Sequence, residues 1–157
     1  MPPTQPTAAR PLPGEIVVSR TLPQTPEAAF AAFSEPARLA AWWGPRGFTN
    51  RFEVFEFRPG GAWRFTMHGP DGTAYPMDHR FLAIVPPERI VVRHLQQGHE
   101  FDLTITLAPR GDGTLVTWTM RFADPAEGER LRSFLAGANA ENLDRLANHL
   151  ASTTHQP

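Results

Sequence analysis

Few side chains in this sequence have chemical reach, and four stand out: His79, His94, Glu53 and Tyr75. In the stretch Tyr75-Pro76-Met77-Asp78-His79-Arg80-Phe81-Leu82-Ala83, alternation puts Tyr75, Met77, His79, Phe81 and Ala83 on one side of a strand. An imidazole among apolar neighbours is either a core histidine held by a hydrogen bond or an acid–base group, with an ordinary pKa of about 6.5. Glu53 points to the same side if the turn Arg58-Pro59-Gly60-Gly61 pairs Phe57 with Trp63. His79 assisted by Glu53 or Tyr75 is then the candidate acid–base set, with Glu53 expected to hold His79 usable near neutrality. His94 falls on the next strand, within reach of His79, but no HExxH or comparable spacing accompanies the pair. No metal and no cofactor is expected.

Other chemistries lack their residues. The 157 residues include no cysteine, and all 15 basic residues are arginine. That removes disulfides, thiolate nucleophiles, zinc–thiolate sites, Schiff-base lysines and the phosphate-loop lysine. The four serines lie in no GxSxG elbow, and no glycine-rich phosphate loop opens a helix. A formal net charge of -1 disfavours nucleic acid as a partner. The apolar run Phe81-Leu82-Ala83-Ile84-Val85 is far short of the roughly 20 residues of a membrane span. Five prolines among the first 13 residues leave no apolar core for a secretory signal, so a cytoplasmic protein is expected.

These groups need elements to position them. Residues 1–13 are expected to form a proline-rich disordered tail, residues 14–151 one domain, and residues 152–157 a short tail. Glu15 to Leu22 reads as a strand. Thr25-Pro26-Glu27 starts a helix carrying Phe30 and Phe33, and a second short helix runs from Pro36 to about Trp42. From Phe48 to Ala123 the turn clusters punctuate a six-strand antiparallel meander. Asp124-Pro125-Ala126-Glu127 reads as a capping box opening a helix from Pro125 to about Ala151, with Leu131, Leu135, Leu143, Leu146 and Leu150 in one stripe. Only that helix is long enough to cover the meander's apolar face. The expected architecture is α+β, a sheet curled around the helix with room between them.

Alternation also predicts the inner face. A hairpin centred near Asp71 places Trp63 opposite His79, Phe65 opposite Met77 and Met67 opposite Tyr75. The last hairpin places Phe101, Leu103 and Ile105 against Phe122, Met120 and Trp118. From the helix, Leu135, Asn139 and Asn142 fall on or beside the stripe. This wall of aromatic, methionine and leucine side chains is either solid core or the lining of a cavity for a hydrophobic or aromatic ligand. The candidate ligand-binding residues are Trp63, Phe65, Met67, Tyr75, Met77, His79, Phe81, Phe101, Leu103, Trp118, Met120, Leu135 and Asn139.

The blocks Ala41-Trp42-Trp43-Gly44-Pro45-Arg46-Gly47-Phe48, Arg58-Pro59-Gly60-Gly61-Ala62-Trp63, Gly69-Pro70-Asp71-Gly72-Thr73 and Ile84-Val85-Pro86-Pro87-Glu88-Arg89-Ile90 recur in one order. With Leu143-Asp144-Arg145-Leu146 they resemble the family named for activators of the heat-shock protein 90 ATPase. The resemblance implies the SRPBCC superfamily and its Bet v 1-like, START-related helix-grip fold. It also implies the bacterial stand-alone members, whose relatives bind lipophilic metabolites, cyclise polyketides or sequester toxic compounds. In this chain His79 stands where the family usually has glycine, Ala83 where an acidic residue is frequent, and Ala138-Asn139 where glycine–tryptophan is usual. The expected partner is a small hydrophobic molecule bound without turnover. A chaperone-linked regulator, a cyclase-like enzyme and a homodimer remain open alternatives.

Overall fold

The computed structural model describes residues 12–154. Residues 1–11 of the expected N-terminal tail, and residues 155–157 of the C-terminal one, lie outside the described residues. The chain runs β1 (Glu15–Leu22), α1 (Pro26–Ser34), α2 (Pro36–Trp42), β2 (Thr49–Phe55), β3 (Ala62–His68), β4 (Ala74–Val85), β5 (Arg89–His94), β6 (Phe101–Arg110), β7 (Gly113–Phe122) and α3 (Pro125–Thr154). Thr25 caps α1 through its side-chain oxygen, which accepts from the Ala28 N–H, with proline at the first helical position. The last helix is longer than the sequence predicts. Ser152 to Thr154 continue α3 rather than forming a tail, because neither glycine nor proline stands among residues 152–154 to stop it.

All seven strands form one antiparallel sheet in the order β1-β7-β6-β5-β4-β3-β2. The predicted registers hold in both hairpins: Trp63↔His79, Phe65↔Met77 and Met67↔Tyr75, then Phe101↔Phe122, Leu103↔Met120 and Ile105↔Trp118. Two bulges break the simple alternation. One, between Phe52 and Val54, brings both Phe52 and Phe55 inward, stacked at 5.6 Å, and turns Glu53 out. The other, between Phe81 and Ala83, ends the inner side assigned to Ala83, so that Ile84 packs on the core instead. The outer face carries cross-strand ion pairs, Arg93 with Asp102 at 2.8 Å and Arg64 with Asp78 at 3.5 Å.

The concave face is covered in two halves. Over one, α1 and α2 insert Phe30, Phe33, Leu39 and Trp42, all buried, against Phe57, Trp63, Phe81 and Ile105. That half is solid, with a residual void of about 10 Å³. Over the other lies α3, which packs chiefly on β1 and β7. Gly128 makes the close approach: a Cβ there would stand 2.6 Å from the Gly14 carbonyl oxygen. Arg20 pairs with Asp144, and Arg132 donates to the Glu15 carbonyl, pinning the helix to β1.

The loop between α2 and β2 is wired to α3 by polar side chains. Arg145 donates from Nη1 to the carbonyls of Trp43, Gly44 and Pro45 at 3.0–3.1 Å, and from Nη2 to that of Ala41. Asn142 accepts from Gly44 N–H and donates to Trp42 O, while Asn50 donates to Ala40 O and Trp43 O. Charge-assisted bonds of this kind contribute about 1.5–3 kcal/mol each at most, and here they converge on one guanidinium. Arg145→Ala is expected to lower stability by about 2–3 kcal/mol, or a Tm loss of roughly 4–10 °C. A thermal melt checks it, and a loss below about 2 °C would mean that water replaces the guanidinium at no net cost.

Candidate functional site

Because α1 and α2 fill only half of the concave face, a cavity of about 480 Å³ remains between α3 and the sheet. The helix supplies Glu127, Leu131, Phe134, Leu135, Ala138, Asn139 and Asn142, spaced three or four apart and so on one face. The strands supply Met67, Met77, His79, His94, Leu103, Trp118 and Met120, and the pinned loop adds Trp43, Gly44 and Pro45. Tyr75, 45% exposed, and Phe134, 72% exposed, mark the open rim. A larger depression of about 700 Å³ lies on the surface beside Pro26, Pro87 and Pro109. Its polar lining residues, Glu27, Glu88, Arg89 and Thr106, are not buried.

One row of paired residues starts at Trp63 in the solid half and crosses the cavity floor through His79, His94, Phe101 and Phe122. His79 is buried, its ring stacked on Phe65 at 5.2 Å and tilted against Trp63 at 5.1 Å. Its Nε2 lies 3.3 Å from His94 Nδ1, and His94 Nε2 lies 3.1 Å from Gln96 Oε1. With that carboxamide oxygen as acceptor, His94 carries its proton on Nε2 and accepts on Nδ1. His79 then donates from Nε2, and its Nδ1, which has no partner, is a bare acceptor. Burial pushes His79 down to about 3, with His94 adding to the effect. Burial lowers His94 as well, against the raising effect of its bond to Gln96. Both rings are neutral near pH 7.

A second polar group stands at the start of α3. The expected capping box closes by half: Asp124 Oδ1 accepts from Ala126 N–H at 3.0 Å, but Glu127 turns toward the cavity. Its Oε2 faces His99 Nδ1 and lies 3.9 Å from Arg130, while its buried Oε1 has no hydrogen-bond partner. Partnerless buried nitrogens occur also on Trp118 and Asn139 of the same lining. Buried polar atoms are ordinarily paired, so the residues around this cavity carry several unmet donors and acceptors.

The structure sorts the sequence candidates. Met67, Tyr75, Met77, His79, Phe101, Leu103, Trp118, Met120, Leu135 and Asn139 line the cavity. Trp63 and Phe81 do not: they lie in the solid half, where α1 and α2 reach them, and Phe65 is buried behind His79. Glu53 is a correction. It sits on the outer face, bonded to Thr66 Oγ1 at 3.2 Å and near Arg51 at 3.5 Å, because the bulge inverts the strand's parity. Glu53 therefore gives His79 no support as a base near neutrality. Sequence reasoning missed Trp43, Phe48, Gln96, His99, Glu127 and Phe134 as lining, and it placed Phe122 on the inner face and Leu131 on the helix stripe without assigning them to the ligand. Glu127 had a signal: stepping back four residues from Leu131 along the apolar stripe reaches it. Gln96 and His99 lie in a turn, where alternation says nothing. Among the described residues, no group of three or more His, Cys, Asp or Glu is placed to hold a metal ion, and no helix is long and apolar enough to cross a membrane.

A curled antiparallel sheet closed over a long terminal helix, with a cavity held between them, defines a helix-grip protein of the Bet v 1-like, SRPBCC type. The chain belongs to the family described as activator of Hsp90 ATPase homolog 1-like protein, whose family model matches residues 23–152. Similar solved structures include a protein of Rhodobacter sphaeroides, 29% identical, covering 92% of this chain and 97% of that one with a TM-score of 0.81. A protein of Arthrobacter aurescens is 20% identical with a TM-score of 0.82, covering 89% of this chain and 87% of that one. The AHSA1 protein of Silicibacter pomeroyi is 23% identical with a TM-score of 0.72, covering 88% and 99%. None of the curated proteins matches this sequence.

Proposed function

We propose that this protein binds a small, largely apolar molecule in the cavity between the sheet and α3, without chemical turnover. The observation that carries the reading is the cavity itself. Its volume of about 480 Å³ falls within the roughly 300–1,000 Å³ range of small-molecule sites. Its lining is apolar and aromatic with a few buried polar atoms, the composition that gives affinity through burial and orientation through hydrogen bonds. His79, the base that the sequence offers a cyclase-like enzyme, is held near 3 and is too weak a base at neutrality to serve. The chaperone-linked reading rests on the family name alone.

Nile red, a neutral dye, is expected to bind there and to quench Trp43 and Trp118, which line the cavity. Met77→Trp puts an indole into the space, and overpacking costs of about 1–3 kcal/mol should appear as dye affinity reduced about tenfold or more. Fluorescence titration with a parallel thermal melt checks the prediction. Unchanged affinity in a folded Met77→Trp protein, or no dye binding at all, would remove the cavity as the site. Native mass spectrometry of freshly purified protein looks for the physiological occupant.

A further inference from the structure

The charge pattern of the cavity narrows the chemistry of its occupant, and this inference rests on the cavity-binding reading above. Glu127 is the one acidic residue among the described residues lining the cavity, and no arginine lines it. It is 5% exposed. One carboxylate oxygen is engaged by His99 and approached by Arg130, whereas the other, Oε1, has no partner in the protein. A buried carboxylate oxygen left without a donor is costly, and its cost is relieved most by a charged donor. It stands in the first turn of a long helix, at the end where the helix dipole attracts negative charge. Phe101, Phe122 and Phe134 line the same cavity, and Phe101 and Phe122 pack 5.3 Å apart. Aromatic faces and a carboxylate lining one cavity make a setting that suits an organic cation. An anion would find no guanidinium or ammonium on this lining to repay its desolvation.

We propose that the cavity takes an organic ammonium ion on an aromatic or aliphatic body, whose N–H donates to the Glu127 carboxylate once a small turn of the side chain brings Oε1 into the cavity. The body lies against the apolar wall, and the ammonium sits toward the start of α3. Arg130 and the helix terminus offset part of the carboxylate's field, so the preference for a cation is set by a charge-assisted hydrogen bond as much as by net charge.

The test uses the full chain and four probes of nearly one shape: naphthylethylamine, naphthylethanol, ethylnaphthalene and naphthylacetate, titrated calorimetrically at neutral pH. The amine is expected to bind at least about tenfold more tightly than the hydrocarbon, and naphthylacetate most weakly. Glu127→Gln keeps the shape and removes the charge, so it is expected to erase the amine's advantage while leaving ethylnaphthalene affinity unchanged. Should that variant fail to fold, Glu127→Asp withdraws the carboxylate by one methylene and is expected to cut the same advantage at constant hydrocarbon affinity. An amine that binds no better than the hydrocarbon, or an advantage that survives loss or withdrawal of the carboxylate, overturns the proposal and leaves cavity binding standing. If none of the four probes nor Nile red binds, cavity binding itself fails and this inference falls with it.

Discussion

Trp63→Ala is expected to destabilise the fold by about 3–5 kcal/mol, the range for truncating a buried large aromatic side chain. The residue is 1% exposed, and its ring contacts Phe65 at 4.6 Å, Trp43 at 4.8 Å, His79 at 5.1 Å, Phe52 at 5.5 Å and Phe81 at 5.7 Å. It joins the solid half of the concave face to the wall of the cavity, so its loss opens a void that neither half can fill. Against a total stability of about 5–15 kcal/mol, such a loss is a large share, and Tm should fall by roughly 6–20 °C. Trp63→Phe should cost far less than the alanine change. The indole N–H is buried without a partner, and phenylalanine keeps most of the ring area while removing that unmet donor. Urea melts of the two variants check the argument. Equal losses for alanine and phenylalanine would show that the indole N–H has a stabilising partner after all, and an alanine loss under about 1 kcal/mol would mean that the ring lattice is not the core.

Trp63 also shows what was legible in the sequence. Its partner across the hairpin, His79, follows from two alternating runs and one turn at Asp71, since a slip of one residue would put the two apolar sets on opposite faces. The same logic places Phe101 against Phe122. Whether a residue on the inner face lines a cavity or solid core is a different question, because it depends on what covers it. Trp63 and Phe81 meet α1 and α2, whereas Met77 and Leu103 face α3 across open space. Alternation within a strand carries no information about that cover.

Glu53 and Glu127 mark the other two limits. A bulge adds one residue to a strand and inverts every later position, and no glycine or proline in the Phe52-Glu53-Val54 stretch announces it. Glu127 carries two compatible signals, the fourth position of a capping box and the fourth residue before Leu131 on an apolar stripe. The side chain can satisfy one of them. His99, brought up by the turn between β5 and β6, holds Glu127 on the cavity side and leaves Asp124 to cap the helix alone. That choice depends on a contact between residues 28 apart in the chain, which local pattern cannot supply.

Acid is expected to weaken the fold through the same wall, and His79 should account for the largest part. In the folded protein burial holds its pKa at about 3, while the unfolded chain has the ordinary value of about 6.5. Between those values the unfolded chain binds the extra proton, so stability falls as pH falls. The contribution is complete above about pH 6.5 and is lost progressively down to about pH 3, where it amounts to something on the order of 4 kcal/mol. Between pH 7 and pH 5 the loss should be about 2 kcal/mol. His94 and His149, both lowered first by burial, act in the same direction. His79→Phe preserves the stack on Phe65 and has no proton to take up, at the cost of leaving His94 Nδ1 without its partner. At pH 7 the variant should therefore be no more stable than the parent, yet it should lose about 2 kcal/mol less on going to pH 5. Paired urea melts at the two pH values measure that difference directly. If the phenylalanine variant is as acid-labile as the parent, His79 takes up its proton without unfolding the wall and is not held neutral by burial.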